Sequence, residues 1–276
     1  MPFLEESEAD SVPESLVKVG VVYIQINFRK VFFTKCLLNP GASSGIGRET
    51  CKVLAREGAT VVVTCIDEAG AHETLKLLPG SGHSVYKYDV TDFKSAPELL
   101  KAIVQKYNRP PNILVNSAGI ADHKPTLTET PDTFQRMLDV NLKGTFFTSQ
   151  AVCKELVAAK LPGAIVNISS VAVLKGIEGI CSYTASKAGV EAITKCMAMD
   201  MSQYNIRVNS IQPGWTDTRM AAEVPVDMDL TLESWIAQLA TKRAGKPIEI
   251  AEVATFLASD RASYINGTSI NVSGGY

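Results

Sequence analysis

From Gly41 onward, short β-branched runs alternate with longer segments of helical period. The runs are Thr60 to Cys65, Ser84 to Tyr88, Asn112 to Val115, Ala164 to Ser169, Ile206 to Ile211 and Ser269 to Val272. Helical segments are predicted over Gly45 to Glu57, Glu68 to Leu78, Ser95 to Tyr107, Pro131 to Ala159, Ser182 to Tyr204 and Glu249 to Leu257. Strands separated by helices in this way predict an α/β fold, a doubly wound parallel sheet with helices on both faces. Pro131 suits a first helical turn behind Thr130 as cap. No internal repeat or Ser/Pro-rich linker divides residues 41–276, so one domain is expected there. The irregular stretch is Thr218 to Arg243, where Pro225, acidic residues and the apolar set Leu232, Trp235, Ile236 and Leu239 predict a loop with a short amphipathic helix. Such a helix is either a lid or simply packed on the body.

Composition sharpens this by exclusion. The 276 residues are 46% hydrophobic and 20% charged, a globular balance, and the net charge of -2 gives no basic footprint for nucleic acid. Val19 to Phe28 is uncharged and mostly apolar but ends at Arg29 and Lys30, far short of the ~20 residues a membrane span needs. The six cysteines (Cys36, Cys51, Cys65, Cys153, Cys181, Cys196) contain no C-x-x-C pair, and His72, His83 and His123 stand apart. Neither a metal site nor a disulfide framework is expected; small buried thiols in a reducing compartment are. Residues 1–17 carry Glu5, Glu6, Glu8, Asp10 and Glu14 and no Lys or Arg, the opposite of an Arg-rich targeting peptide.

Chemistry collects at the carboxyl ends of the runs. Gly41-Ala42-Ser43-Ser44-Gly45-Ile46-Gly47 opens the first helical segment, where glycines let the backbone approach a pyrophosphate that the helix N-terminus stabilises. Its G-x-x-x-G-x-G spacing differs from G-x-G-x-x-G. Asp89-Val90 and Asn116-Ser117-Ala118-Gly119 follow later runs at the same edge, where open α/β sheets bind ligands. Tyr183 and Lys187, four apart on a predicted helix, share one face. A neighbouring ammonium is expected to pull the phenol below its usual ~10 and suit it to acid/base work. Ser170, at the end of the Ala164 to Ser169 run, and Asn141 complete the set.

In this order and spacing the motifs resemble the short-chain dehydrogenase/reductases, from Gly41 to Tyr276. The resemblance is to the branch of bacterial 3-oxoacyl-[acyl-carrier-protein] reductases and animal 17-beta-hydroxysteroid dehydrogenase type 8 proteins. It extends to Arg109-Pro110-Pro111, to Val140 through Phe146 and to Tyr264 through Thr268. It implies a single Rossmann-type domain and hydride transfer between a nicotinamide and a secondary alcohol or ketone. The substrate would be a 3-hydroxyacyl thioester or a 17-beta-hydroxysteroid.

Carried over residue by residue, the resemblance makes Tyr183 the general acid/base and Lys187 its support and a holder of the nicotinamide ribose. Ser170 would donate to the substrate oxygen, and Asn141 would position a water that relays protons to Lys187. Asp89 and Val90 would meet the adenine, and Asn116, Ala118 and Gly119 would line the cofactor cleft. Pro213, Gly214, Thr216 and Thr218 would face the nicotinamide, and Ser43, Ser44 and Ile46 belong to the phosphate loop. Relatives assemble through the long helices and the last strand, which implies a homotetramer or a heterotetramer with a related subunit. They also point to the mitochondrial matrix, with the cytoplasm as the alternative.

The departures lie at the N-terminus and at the adenosine end. Where the family has Thr-Gly, this chain has Pro40-Gly41, and Pro40 offers neither an N–H nor a hydroxyl. Phe32 to Leu38 matches the family's first strand poorly, and Val19 to Asn27 reads as the better strand. Residues 1–40 are therefore expected to be a divergent extension that may hold the first strand. A translated intron or alternative start over about Gly20 to Pro40 and a genuine extension are the two explanations. At the ribose, Cys65 stands where an acid is usual in NAD-selective members, Asp67 follows, and Ser43, Ser44 and Ile66 include no cation for a 2′-phosphate. NAD is favoured, with NADP left open. Asn116-Ser117 and Ser273-Gly274-Gly275 are milder departures. The rival to an active dehydrogenase/reductase is a weakly catalytic binding subunit of a heteromeric reductase, impaired at Pro40.

Overall fold

The computed structural model describes residues 36–223 and 236–276. Its strands are β1 (Cys36–Pro40), β2 (Thr60–Cys65), β3 (Ser84–Lys87), β4 (Ile113–Asn116), β5 (Gly163–Ile168), β6 (Ile206–Pro213) and β7 (Ser269–Val272). They form one sheet in the order β3-β2-β1-β4-β5-β6-β7, parallel throughout. The helices are α1 (Gly45–Arg56), α2 (Glu68–Lys76), α3 (Ala96–Tyr107), α4 (Pro131–Leu138), α5 (Gly144–Ala159), α6 (Cys181–Met201), α7 (Arg219–Glu223) and α8 (Pro247–Ala258).

Alternation along each strand assigns the side chains to two cores. Val61, Val63, Ile113, Val115, Val166 and Ile211 pack with Leu54 of α1 and with Ile250, Ala254 and Leu257 of α8. Leu38, Val62, Leu114, Ile165 and Val208 point the other way, onto Leu100 and Ile103 of α3, Val152 and Leu156 of α5 and Met197 of α6. Each such side chain gains about 1.5–3 kcal/mol by leaving water, so a one-residue slip in register would be costly on both faces.

Two expectations change. The first strand, a poor match by sequence, occupies the sheet centre: β1 pairs with β2 from Cys36↔Thr60 to Pro40↔Thr64, and with β4. Proline is tolerated because it is the last residue of the strand, and its carbonyl still accepts from Ser117 N at 3.1 Å. Val19 to Asn27, Leu232 and Trp235 lie outside the described residues. The single helix predicted over Pro131 to Ala159 is interrupted by a π-helical turn, Asp139–Lys143. That turn carries Asn141, whose side chain exchanges two hydrogen bonds with the Ile120 backbone while its carbonyl accepts from Thr145 Oγ1. The Thr130 cap forms as expected, accepting from Thr133 N.

Candidate active site

Strand order reverses between β1, whose chain continues to β2, and β4 on its other side, which opens a crevice above the carboxyl ends. Ser44 is the N-cap of α1, extended, and its side chain makes no capping bond, so the first-turn amides have no side-chain cap and lie beside the crevice. The loop that delivers them is set by backbone packing. Gly41 has φ 84°, and a Cβ there would run into the backbone of Ser117 and Ala118; one on Gly47 would meet Gly41 O and Ser117 Oγ. A Cβ on Gly45 would come 3.3 Å from Thr218 Cγ2 across the opening.

The contacts that Pro40 cannot make come from its neighbours. Asn39 is fully buried and donates from Nδ2 to Gly47 O at 2.9 Å. Ser117 Oγ shares its proton between Asn39 Oδ1 and Pro40 O, each at 2.7 Å. Gly41 N and Ala42 N both reach Thr64 O, at 3.0 and 3.3 Å. The loop beside Pro40 is thus anchored through Asn39 and Ser117.

At the end expected to meet the adenosine, Cys65 Sγ donates to Ser43 Oγ at 3.2 Å. Asp67 caps α2, accepting from Gly70 N at 3.1 Å. Arg48 is spent on structure, bonded to Ser43 O, to Thr74 Oγ1 at 3.0 Å and to Glu73 at 3.0 Å. Asp89 accepts from Thr91 N and Oγ1 at 2.8 and 2.7 Å. No cation beyond Arg48 is drawn in beside Ser43 or Ser44 by these bonds.

The chemical groups converge where β5 meets α6. Ser170 and Tyr183 line the same cavity, and the Ser170 hydroxyl acts on the Tyr183 phenol. Lys187, 5% exposed, donates from Nζ to Ile168 O at 2.9 Å and lies 5.8 Å from the centroid of the Tyr183 ring. Burial pushes the Lys187 ammonium down to about 8. Burial also raises the Tyr183 phenol, and the Ser170 hydroxyl offsets part of that rise. The direction is opposite to the lowering expected from the neighbouring ammonium, because burial is the largest influence on the phenol.

One cavity of about 1000 Å³ joins these regions. Every predicted site residue lines it except Asn116 and Asn141. Asn116 faces away, bonded to Ser149 Oγ at 2.9 Å and Asn167 Oδ1 at 2.8 Å, so its role is to cross-link β4, β5 and α5 rather than to line the cleft. Asn141 sits behind the wall: its Oδ1 and Lys187 Nζ would lie 3.3 and 3.4 Å from a Cβ on Gly119. Its side chain is committed to Ile120 and to Ser186 Oγ. Sequence reading missed Asn39 and Arg48; the polar Asn39 within an apolar run was the available signal for the first.

The cavity suits a dinucleotide, with open helix amides at its middle, polar groups of Cys65 to Asp67 and Asp89 at one end, and Ser170, Tyr183 and Lys187 at the other. Trp215, Met220 and Leu239 add apolar wall beyond the hydroxyl groups. Among the described residues no cluster of three His, Cys, Asp or Glu could hold a metal, and no helix is long and apolar enough to cross a membrane.

Known proteins share this outline. The family model described as Enoyl-(Acyl carrier protein) reductase matches residues 41–276. The (3R)-3-hydroxyacyl-CoA dehydrogenase of Homo sapiens is 38% identical over 244 residues, covering 85% of this chain and 92% of that protein. The 3-oxoacyl-[acyl-carrier-protein] reductase FabG of Thermotoga maritima is 38% identical over 242 residues, 87% of this chain and 96% of that one. A solved structure described as a short chain dehydrogenase/reductase family protein superposes with a TM-score of 0.78 at 35% identity, covering 88% of this chain and 97% of its own.

Proposed function

The chain belongs to the short-chain dehydrogenase/reductase family, and from that premise we propose that it interconverts 3-oxoacyl and 3-hydroxyacyl thioesters with NAD as the preferred nicotinamide cofactor. The observation that carries this reading is the convergence of Ser170, Tyr183 and Lys187 at one end of a cavity whose middle holds the open amides of α1. A nicotinamide bound there supplies or takes the hydride.

The chain's own groups handle the oxygen and the proton. In reduction, Tyr183 gives its phenolic proton to the substrate oxygen as the carbonyl carbon gains the hydride, leaving a secondary alcohol. Ser170 donates a hydrogen bond to the same oxygen as charge builds there. Lys187, held on Ile168 O and poised near 8, stands beside the phenol to steady the phenolate and pass a proton back. In oxidation each step reverses.

The names of the relatives favour the thioester over a steroid, and the apolar wall of Trp215, Met220 and Leu239 suits an acyl chain. NAD is favoured over NADP because Arg48 is committed and Asp67 lines the ribose end, where a 2′-phosphate would meet its carboxylate. Assembly as a tetramer through α4, α5, α6 and β7, and residence in the mitochondrial matrix, complete the reading. The test is oxidation of NADH or NADPH by acetoacetyl-CoA, monitored by absorbance. Saturating turnover with NADH preferred is expected; turnover with simple ketones but not with the thioester would overturn the substrate assignment.

A further inference from the structure

Glu191 stands four residues beyond Lys187 and continues the face of α6 that carries Tyr183 and Lys187. Three successive turns of this helix thus meet the end of β5. Tyr183 lines the cavity with Ser170, Lys187 Nζ donates to Ile168 O, and Glu191 Oε1 accepts from Ser169 Oγ at 2.9 Å. The same oxygen accepts from Gln212 Nε2 at 2.6 Å. Ser169 Oγ also lies 3.2 Å from the carbonyl oxygen of Lys187.

Ser169 and Gln212 are 2% and 5% exposed, so their donors have little water to turn to if the carboxylate is removed. Their chain positions give the triangle its meaning. Ser169 precedes Ser170, which bonds the reacting oxygen in the proposed function, and Gln212 precedes Pro213, which lines the nicotinamide end. One carboxylate oxygen therefore ties two strand ends to the helix that presents the acid/base pair. No step of the proposed chemistry uses it.

We propose that Glu191 is a positioning residue: through Ser169 and Gln212 it fixes Ser170 and Pro213 relative to Tyr183 and Lys187, and so aligns the substrate oxygen and the cofactor with the proton donor. This rests on the dehydrogenase/reductase reading. A misplacement of about 1 Å in such an arrangement can cost ~100-fold in rate.

The test compares Glu191→Ala, Glu191→Gln and Ser169→Ala with Asn209→Ala. The last removes two buried hydrogen bonds, to Ile265 O and Thr268 N, in the half of β6 remote from Pro213. Glu191→Ala is expected to lower kcat by about 10- to 100-fold with NADH affinity little changed. Glu191→Gln, which keeps an acceptor oxygen, restores most of the rate, and Asn209→Ala lowers thermal stability without lowering kcat. Crystal structures of the cofactor-free variants supply a readout independent of turnover: in Glu191→Ala the Ser169–Ser170 and Gln212–Pro213 segments shift away from α6, and in Glu191→Gln they keep their wild-type positions.

Unchanged kcat and unshifted Ser169–Ser170 and Gln212–Pro213 segments in Glu191→Ala would overturn the proposal, as would equal rate losses in Glu191→Ala and Asn209→Ala. Should Glu191→Ala not fold, Ser169→Ala vacates the same hydrogen bond and is read by the same two outcomes. A wild-type protein inactive on 3-oxoacyl thioesters would sink the functional reading, while the crystallographic comparison would still decide the role of Glu191.

Discussion

The two ends of the cavity are built from different materials. At the end proposed for catalysis the function rests in side chains: Ser170, Tyr183 and Lys187 converge on the cavity, with the buried lysine held by a single carbonyl. At the phosphate end it resides in the backbone: glycines at 41 and 47 that admit no Cβ, and uncapped amides at the start of α1. The catalytic end is therefore intolerant of side-chain change, whereas the phosphate end tolerates such change provided the chain path survives. Pro40 illustrates the second case, since Asn39 and Ser117 hold the path.

The largest expected effect separates the ends outright. Tyr183→Phe removes the proton donor and should lower kcat by at least ~100-fold, while NADH binding measured by fluorescence stays close to wild type. Retained turnover would refute the acid/base role. Gly41→Ala is the converse: a methyl group forced into the Ser117–Ala118 backbone should abolish or greatly weaken NADH binding and lower the melting temperature.

Lys187→Met probes the dryness of the catalytic end. In the folded protein this lysine titrates near 8 instead of 10.5, so between those values the unfolded chain binds more protons and stability rises with pH. Below pH 8 both states are protonated and the folded one bears the full burial cost, at most about 3 kcal/mol. The cofactor-free variant should accordingly be more stable than wild type at pH 7 in urea titrations, and the difference should vanish between pH 8 and 10.5. A difference independent of pH would mean the lysine is solvated.

Smaller effects sharpen the boundary. Asn116→Ala should cost about 1–3 kcal/mol through lost buried hydrogen bonds, with NADH affinity little altered, because its amide binds Ser149 and Asn167 rather than the cleft. A selective loss of NADH affinity would return it to the cofactor site. Pro40→Thr should be nearly neutral in both stability and NADH affinity.

The same division explains what the sequence disclosed. Helical spacing places Tyr183 and Lys187 on one face without further knowledge, and β-branched runs located six strands to within a residue or two at each end. What stayed hidden depends on partners distant in the chain. Asn116 and Asn167 are 51 residues apart, and only folding shows that they satisfy each other instead of a ligand. The π-helical turn at Asp139–Lys143 is dictated by Ile120, which no local periodicity reports. β1 reads as a poor strand because Cys36 to Pro40 holds no β-branched residue, yet Pro40 ends the strand where its missing N–H does least harm.

The central claim is that an intact dinucleotide site survives around Pro40 and feeds the Tyr183 cluster. Titration of the full chain with NADH, followed by the change in its fluorescence, tests this most directly, with NADPH in parallel. The account predicts saturable binding, tighter for NADH than for NADPH. Absence of saturable binding by either nucleotide to the folded protein would contradict it.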